Sequence, residues 1–365
     1  MTNIPKTRIT FVQTGDFHLT NRHDERWETL ELILALAEDS DAQGVLITGD
    51  LFHSADAASR LRIDIKSLFE NFKTLTFFII PGDHDQFGYQ KNSSYGINCR
   101  ILNDDPFTAC EFHDLDLVGV PFRKQQKAID SLNGVNFNRE RPVILLLHGT
   151  LFDPQNSWIF CDAKYEDNFS IFWDDLKRSG TTYAALGHVH TRFVVMNQDN
   201  IVACYSGSPV PLDAHDDGPR SIALVEFHVD IGRIEVSRID TGGYYYLHKE
   251  YYLTPFQENT EIENIMQELK NMADPHCKLD VKLRGIAAFE HSQILQIQEN
   301  LQKTLAEHFA SVFIRHELKS FGNLLDNPLV ARFVEEVIEK NQKMSPEYRN
   351  ITLMHGLKAF KKGLE

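Results

Sequence analysis

The chain has 365 residues, of which 42% are hydrophobic and 24% charged, and a formal net charge of −15. This composition is typical of a folded globular protein with one large domain and one or two small ones, and it excludes a disordered chain or a coiled-coil rod. No apolar run approaches the roughly 20 residues of a membrane span, and residues 1–6 lack a secretory core, so we expect a cytoplasmic protein with no membrane partner.

Strand-like and helix-like segments alternate in the first part of the chain. The pattern predicts strands at 8–13, 45–48, 77–80, 115–120, 143–147 and 183–186, and helices at 25–39 and 57–72. Shorter strands of an antiparallel type follow at 193–196, 202–205, 222–227 and 234–238. Alternation followed by a meander predicts an α/β sandwich with a mixed sheet or two facing sheets.

A Thr-Gly-Gly break at 241–243 ends this pattern. After it the hydrophobic periods predict a helix at 261–272, a strand at 278–283, a helix at 291–309 and a strand at 312–318, and then two C-terminal helices within 327–363. The predicted domains are therefore 1–243, a small αβαβ domain at 244–322, and C-terminal helices at 323–365.

The five cysteines are widely spaced and form no Cys-x-x-Cys pair: Cys99, Cys110, Cys161, Cys204 and Cys277. Such spacing argues against a zinc ribbon or a disulfide framework, and it predicts reduced thiols.

Five of the predicted strands end in a short turn that carries Asp or His. These turns contain Asp16 and His18, Asp50 and His53, Asp83 and His84, His148, and His188 and His190. In open α/β sheets the carboxyl ends of the strands form the ligand-binding edge, so we expect these side chains to meet there. Carboxylates and imidazoles suit first-row divalent ions, and a set this large suits two ions with a carboxylate between them.

Each turn taken alone has a simpler interpretation, because Asp after a strand commonly caps a turn or a helix. The ordered recurrence in five turns is what favours a metal site. A second acidic group, Asp213, His215, Asp216 and Asp217, lies in a loop rich in Pro and Gly, and we interpret it as solvated.

The five turns, in this order, resemble the signature of calcineurin-like metallophosphoesterases: Asp-x-His, Gly-Asp, Gly-Asn-His-Asp, His and Gly-His-x-His. The turn at 49–53, where His53 follows Asp50 by three positions, is similar to the SbcD/Mre branch of DNA repair nucleases. This resemblance implies a metallophosphoesterase β-sandwich flanked by helices, a small α+β cap domain over the active site, and C-terminal helices.

The resemblance also implies a role for each residue at a matching position. One metal ion would be held by Asp16, His18, Asp50 and His190, and the other by Asp50, Asp83, His148 and His188. His84 would be the catalytic histidine, with His53 assisting it, and the ions would be manganese.

The function implied is that of a DNA exonuclease and endonuclease in repair and recombination. It would work with an SbcC-type coiled-coil ATPase, bound by the C-terminal helices, and as a homodimer. A partner or a local basic patch would help a chain of charge −15 to hold DNA. Two alternatives stay open: a phosphodiesterase or phosphatase acting on nucleotides or phosphoproteins, and a weakly active scaffold subunit.

One position departs from the signature, because Asp83 stands where the family has Asn. An Asp oxygen also binds metal ions, but it adds a negative charge to the site. We expect tighter metal binding and weaker attraction of a phosphodiester than in the usual site.

Overall fold

The computed structural model describes residues 8–90, 93–123, 128–132, 141–152, 169–190, 193–341 and 343–364. The chain divides into two compact units, Met1–Tyr244 and Tyr245–Glu365. The expectations about residues 1–6 and Cys161 lie outside the described residues, whereas the other four cysteines form no disulfide in the described part of the chain. None of the helices in the described ranges is both long and apolar enough to cross a membrane.

The first unit is built mainly of strands. They are β1 (Arg8–Thr14), β2 (Gly44–Ile47), β3 (Thr76–Ile79), β4 (Cys99–Ile101), β5 (Thr108–Phe112), β6 (Leu115–Val120), β7 (Val143–His148), β8 (Thr150–Phe152), β9 (Ser170–Phe172), β10 (Tyr183–Gly187), β11 (Val194–Gln198), β12 (Ile201–Tyr205), β13 (Ser221–His228) and β14 (Arg233–Asp240).

Helices of the first unit lie between these strands in the sequence. They are α1 (Glu25–Asp39), α2 (Ala55–Asn71), α3 (Ala128–Leu132) and α4 (Trp173–Arg178). Helix α2 begins two residues before the predicted start, because the Ser54 side chain caps it by accepting a hydrogen bond from the Ala57 backbone. The short helices α3 and α4 were not predicted.

Two large sheets pack face to face in this unit. One has the strand order β14-β13-β1-β2-β3-β4, and the other has the order β11-β12-β10-β7-β6-β5. Buried apolar side chains from both sheets, such as Phe11 and Ile144, form a shared core. Helices α1 and α2 cover the outer face of the first sheet through a second apolar cluster. The predicted α/β sandwich is therefore confirmed.

The parallel strands of each sheet end at the same level. In the first sheet Thr14 pairs with Ile47, and Ile47 pairs with Ile79, so that β1, β2 and β3 finish side by side. In the second sheet Gly187 pairs with His148 at the ends of β10 and β7. The turns that follow these five strands consequently start from one edge of the sandwich.

The second unit begins with a strand that the sequence analysis did not predict. Its elements are β15 (Tyr245–Leu253), α5 (Glu258–Asn271), β16 (Asp274–Ala287), α6 (His291–Leu305), β17 (Phe309–Ser320), a 3-10 helix (Gly322–Asp326), α7 (Pro328–Lys340) and α8 (Pro346–Leu364). The three strands form a parallel sheet in the order β15-β16-β17. The small domain is thus βαβαβ rather than αβαβ.

The C-terminal helices α7 and α8 pack on each other and on the small sheet. Val330, Val334, Leu353 and Leu357 are buried in one cluster together with Ile286 from β16. The predicted apolar faces of these helices are therefore used, at least in part, within their own unit.

Candidate metal centre

All nine predicted site residues lie close together at the edge where β1, β2, β3, β7 and β10 end. They form overlapping groups in which one ligand atom from each residue lies within 4.8 Å of the others. These groups are Asp16, His18, Asp50 and His190; Asp83, His148 and His188; Asp50, Asp83 and His84; and His18, His53 and His84. The site straddles both sheets, since the three aspartates follow strands of one sheet, whereas His148 ends a strand of the other sheet and His188 follows one.

The first group is almost enclosed by protein. Asp16, His18 and Asp50 are buried, and His190 is half-buried. His18 Nε2 lies 3.5 Å from Asp50 Oδ2, and His190 Nε2 lies 3.4 Å from Asp16 Oδ1. Carboxylate and imidazole atoms therefore face one another across a space about the size of an ion.

The second group is centred on Asp83. Its Oδ1 lies 3.0 Å from His148 Nε2 and 3.5 Å from His188 Nδ1. His148 Nε2 is also 3.6 Å from Asp50 Oδ2. Asp50 thus stands between the two groups, as expected of a carboxylate that bridges two ions.

Several polar atoms of the site are buried and make no hydrogen bond. They are both ring nitrogens of His18, Oδ2 of Asp50 and Nε2 of His190. A buried polar atom without a partner is costly, so such atoms call for a ligand. Imidazole nitrogens and carboxylate oxygens are the donors that divalent metal ions take, and the cluster therefore fits divalent cations.

His84 and His53 lie on the open side of the cluster. The His84 ring centroid is 4.6 Å from that of His18 and 5.6 Å from that of His53. The His84 side chain is 43% exposed, which leaves it accessible to a substrate. Its backbone N–H donates to Asp50 Oδ1 at 3.0 Å, so the turn that carries His84 is fixed to the central carboxylate.

Four of the candidate ligand residues have a left-handed backbone. The φ angles are 56° for Asp16, 49° for His18, 50° for Asp50 and 88° for His188. Side chains other than glycine rarely adopt this region, at a cost of about 1–3 kcal/mol each, and such residues concentrate at functional sites. The left-handed residues turn the backbone sharply at the strand ends, and these side chains consequently lie within the cluster.

Two glycines allow the turns to approach closely. A Cβ atom on Gly82 would lie 2.2 Å from Asp50 Oδ1, and one on Gly49 would lie 2.2 Å from His148 Nδ1. Neither distance is compatible with a side chain. The glycines in the Gly-Asp turns are therefore required by the packing of the ligands themselves.

Two groups that orient the ligands were missed by the sequence analysis. Asp85 is fully buried and accepts hydrogen bonds from Gly82 N, Phe52 N and the Tyr89 hydroxyl at 2.8, 3.1 and 2.8 Å. Asp85 thereby connects the turn at 49–53 to the turn at 81–85. The signal for it was its place in the Gly-Asp-His-Asp turn.

The second missed group is the Thr48 carbonyl, which lies 2.8 Å from His148 Nδ1. A partner on one ring nitrogen sets the orientation of a histidine and directs its other nitrogen at the ligand. Because any residue supplies a carbonyl, no residue type in the sequence could reveal this contact.

Electrostatics within the cluster also favour a cation. Burial alone would raise the pKa of Asp16, but the attraction of His190 and other histidines lowers that pKa to about 2. Burial raises the pKa of Asp50 well above its usual value. Burial opposes protonation of His148, yet Asp50 and Asp83 outweigh it and raise the pKa of His148 to about 10. The carboxylates that raise the pKa of His148 would equally attract a divalent cation.

Two other groups of acidic residues and histidine have structural explanations. In the exposed loop at 213–217, the Asp216 carboxylate accepts hydrogen bonds from the backbone of Leu212 and Asp213. On the β13–β14 hairpin, Glu226 pairs with Arg8 at 3.0 Å and Glu235 pairs with Arg233 at 2.9 Å, beside His228. The carboxylates of the hairpin already have cationic partners.

The fold and the ligand cluster together define a class of metal-dependent phosphoesterases, and the comparisons agree. Residues 9–192 match the family model described as calcineurin-like phosphoesterase. This match covers half of the chain, and the protein belongs to that family.

Two curated relatives show how far the similarity extends. The DNA double-strand break repair protein Mre11 of Sulfurisphaera tokodaii is 24% identical over 71% of this chain and 66% of its own. The uncharacterized metallophosphoesterase YhaO of Bacillus subtilis is 24% identical over 62% of this chain and 59% of its own. The alignments thus span less than two thirds of each relative.

Among solved structures, TT1561 of Thermus thermophilus matches with a TM-score of 0.42 and 12% identity. The alignment covers 64% of this chain and 99% of that one.

Replacing Gly82 by Ala tests whether the close approach of the turns is needed for metal binding. The added methyl group displaces the Asp50 carboxylate, and we expect metal affinity to fall by at least about tenfold, the scale seen when the support of a metal ligand is disturbed. Isothermal titration with manganese measures the effect. Gly363→Ala is the matched control, because a Cβ there meets no atom within 4 Å. Equal affinity in the Gly82 variant and the wild type would contradict the prediction.

Replacing Asp83 by Asn tests the departure from the family signature. With two divalent ions, Asp16 and Asp50, the site has a charge of +2, and ionised Asp83 reduces it to +1. Burial opposes ionisation of Asp83, but hydrogen bonds from His148 and His188 hold its pKa below the ordinary value, so the charge is present.

The Asn variant is therefore expected to bind metal ions more weakly and a phosphodiester substrate more tightly. Metal titration and the KM for a chromogenic phosphodiester at saturating metal measure the two effects. Asp230→Asn, in an exposed loop, is the control. An unchanged metal affinity together with an unchanged KM would show that the charge of Asp83 has no role.

Proposed function

We propose that this protein hydrolyses phosphodiester bonds of DNA, as an exonuclease and endonuclease in repair and recombination, with two divalent ions that are manganese by preference. The observation that carries the proposal is the pair of His53 and His84 rings, 5.6 Å apart on the open side of the ligand cluster. His53 belongs to the turn that resembles the SbcD/Mre nucleases. The Mre11 relative of Sulfurisphaera tokodaii, described as a DNA double-strand break repair protein, supports the same branch.

The nine residues divide the chemistry between them. When bound, a pair of divalent cations lowers the pKa of water toward neutrality and offsets the charge of a phosphoryl group. Asp16, His18 and His190 would hold one ion, Asp83, His148 and His188 the other, and Asp50 both. His84 stands where it can stabilise the leaving oxygen or give it a proton. His53 packs beside His84 and limits its orientation.

Arginines near the site offer a local attraction for phosphate groups despite the overall charge of −15. Arg26 Nη1 donates to the His18 carbonyl at 2.5 Å, and Arg60 Nη2 donates to the Thr20 carbonyl at 3.3 Å. Arg60 also forms an ion pair with Asp56, so Arg26 is the arginine that offers positive charge beside the turn that carries Asp16 and His18. Positive charge at this position favours a polyanionic substrate.

The C-terminal helices are proposed to bind an SbcC-type coiled-coil ATPase. One face of α7 and α8 is buried in its own unit, but Leu329, Tyr348 and Ile351 remain 70%, 66% and 47% exposed. Large apolar side chains exposed on helices are typical of an interaction site. The ATPase would add the grip on DNA that an acidic chain lacks. A homodimer is a further partner that the resemblance to the SbcD/Mre branch implies.

Two other functions have specific support. A phosphodiesterase or phosphatase acting on nucleotides or phosphoproteins would use the same metal cluster, and the match to YhaO, a metallophosphoesterase of unstated substrate, favours it. A weakly active scaffold subunit is favoured by the additional negative charge of Asp83. Assays on DNA and on a small phosphodiester distinguish the three.

The nuclease is tested by nucleotide release from linear double-stranded and single-stranded DNA in manganese, comparing the wild type with His84→Ala. Loss of one general acid–base group typically lowers a rate by about 10²–10⁴-fold, and we expect a loss in that range. His276→Ala, on an exposed strand residue of the second unit, is the matched control. Metal content is measured in each preparation to show that the site is loaded.

Different results of this assay lead to different conclusions. Hydrolysis of a chromogenic phosphodiester without cleavage of DNA, with or without the ATPase, would replace the nuclease by a small-substrate phosphodiesterase. If the fully metal-loaded protein hydrolyses neither substrate, the role of a scaffold subunit is the remaining one of the three functions. Cleavage of DNA by both the wild type and His84→Ala at equal rates would remove His84 from the mechanism.

The partner site is tested with the double variant Leu329→Glu and Ile351→Glu. Charges on the exposed face are expected to abolish co-purification with the SbcC-type ATPase and to leave metal content unchanged, because the buried face of the helices is untouched. Ile231→Glu, at a side chain of the first unit that is 64% exposed, is the control. Undiminished complex formation by the double variant would contradict the proposed surface.

A further inference from the structure

Arg220 is a buried arginine just before β13. Its side chain and backbone together are only 7% exposed. The guanidinium group donates through Nε to the Ser208 carbonyl at 2.9 Å and through Nη2 to the His190 carbonyl at 2.6 Å. A buried charge needs such partners, and here both partners belong to segments next to the candidate metal centre.

Ser208 extends this contact to the turn after β1. Its hydroxyl lies between the Asp16 carbonyl at 2.8 Å and the Val210 carbonyl at 2.6 Å, and its backbone N–H donates to the His190 carbonyl at 3.0 Å. Arg220 and Ser208 therefore fix the backbone positions of Asp16 and His190 through their carbonyls. We call this pair, Arg220 and Ser208, the brace. The side chains of these two residues face each other at 3.4 Å in the ligand cluster.

We propose that Arg220 is a positioning residue for one half of the metal centre, and that it sets the affinity for the ion held by Asp16, His18, Asp50 and His190. This inference rests on the proposed two-metal site. The other half has a support of its own, since the Thr48 carbonyl lies 2.8 Å from His148 Nδ1 and orients that ring. Loss of the brace consequently affects the two ions unequally.

The chemistry of arginine explains the choice of residue. A planar guanidinium group presents several N–H donors in a fixed fork and can join two carbonyls from separate segments. Lysine carries its charge on one flexible ammonium group. It keeps the positive charge but does not fix the relative position of Ser208 and His190.

A polar cavity of about 390 Å³ adjoins Arg220 and is also lined by Arg238 and Ser206. Water can enter such a space and satisfy carbonyls that a shorter side chain leaves free. A conservative substitution of Arg220 is therefore compatible with folding. Arg238 supplies the matched control, because it lines the same cavity but donates to the Pro219 carbonyl at 3.2 Å and pairs with Asp240 at 3.3 Å, not with the Ser208 or His190 carbonyl.

The test is a manganese titration of the full chain. Calorimetry measures the affinity for each ion, and electron paramagnetic resonance detects the signal of two coupled manganese ions. The wild type and Arg238→Lys are expected to bind two ions and to show the coupled signal. In Arg220→Lys one of the two ions is expected to bind about tenfold more weakly or worse, as is typical when a group behind a metal ligand is lost. When manganese is limiting, Arg220→Lys is then expected to show the signal of a single bound ion in place of the coupled signal.

Ser208→Ala provides a second variant, should Arg220→Lys fail to fold. It removes the hydroxyl contact to Asp16, and the same ion is expected to weaken. The effects of the two substitutions are expected to be less than additive, because both act through one network. The melting temperature in excess chelator shows whether each variant folds without metal ions.

Three results would overturn the inference. Both ions retaining wild-type affinity within about twofold in both variants would show that the brace has no influence on the centre. Both ions weakening equally would show a general structural role instead of a positioning one. A wild type that binds fewer than two ions would overturn the two-metal site itself, and this failure is distinct because it is seen before any variant is compared.

Discussion

Three aspartates converge on one small space, and their mutual repulsion is the constraint that the rest of the site accommodates. Asp16 and Asp50 are buried, and Asp83 is about one third exposed. At an effective dielectric constant of 20, two unit charges 4 Å apart repel each other by about 4 kcal/mol. Histidines lie between these carboxylates, and the negative charge raises the pKa of His148. Divalent cations resolve it most directly, and so the cluster is best understood as a metal centre.

Much of this site was predictable because each ligand follows a buried apolar strand. Parallel strands bring their carboxyl ends to one edge, so an ordered series of Asp and His turns predicts a cluster even when no contact is known. The brace formed by Arg220 and Ser208 was not predictable, and neither was the Thr48 contact to His148. The acceptors in these contacts are backbone carbonyls, which every residue has, so no residue type in the sequence indicates them. Asp85 is visible in the sequence as the last residue of the Gly-Asp-His-Asp turn. Its role was not predictable, because it depends on hydrogen bonds to two different turns.

The fold was predictable where hydrophobic periods are long and uniform. The strand β15 was missed because Lys249 interrupts the apolar face formed by Tyr245, Leu247 and Tyr251. In the structure Lys249 lies 3.8 Å from Glu268 on α5, so that its charge is accommodated on the helix side of the sheet. The helices α3 and α4 span five and six residues, too few to show a helical period. Tertiary contacts, rather than local pattern, decide such elements.

The span of the centre along the chain has a consequence for folding. The His188 backbone donates to the Asp16 carboxylate across 172 positions of sequence, and the ligands come from both sheets of the sandwich. The ion-binding state therefore forms only after the long-range topology is complete, at a late step of chain assembly. Since the unfolded chain lacks this arrangement, a divalent ion bound at the centre would stabilise the contact between the two sheets, by about 2.7 kcal/mol at a free ion concentration one hundred times its Kd. The metal concentration would then affect the stability of the folded chain as well as its chemistry.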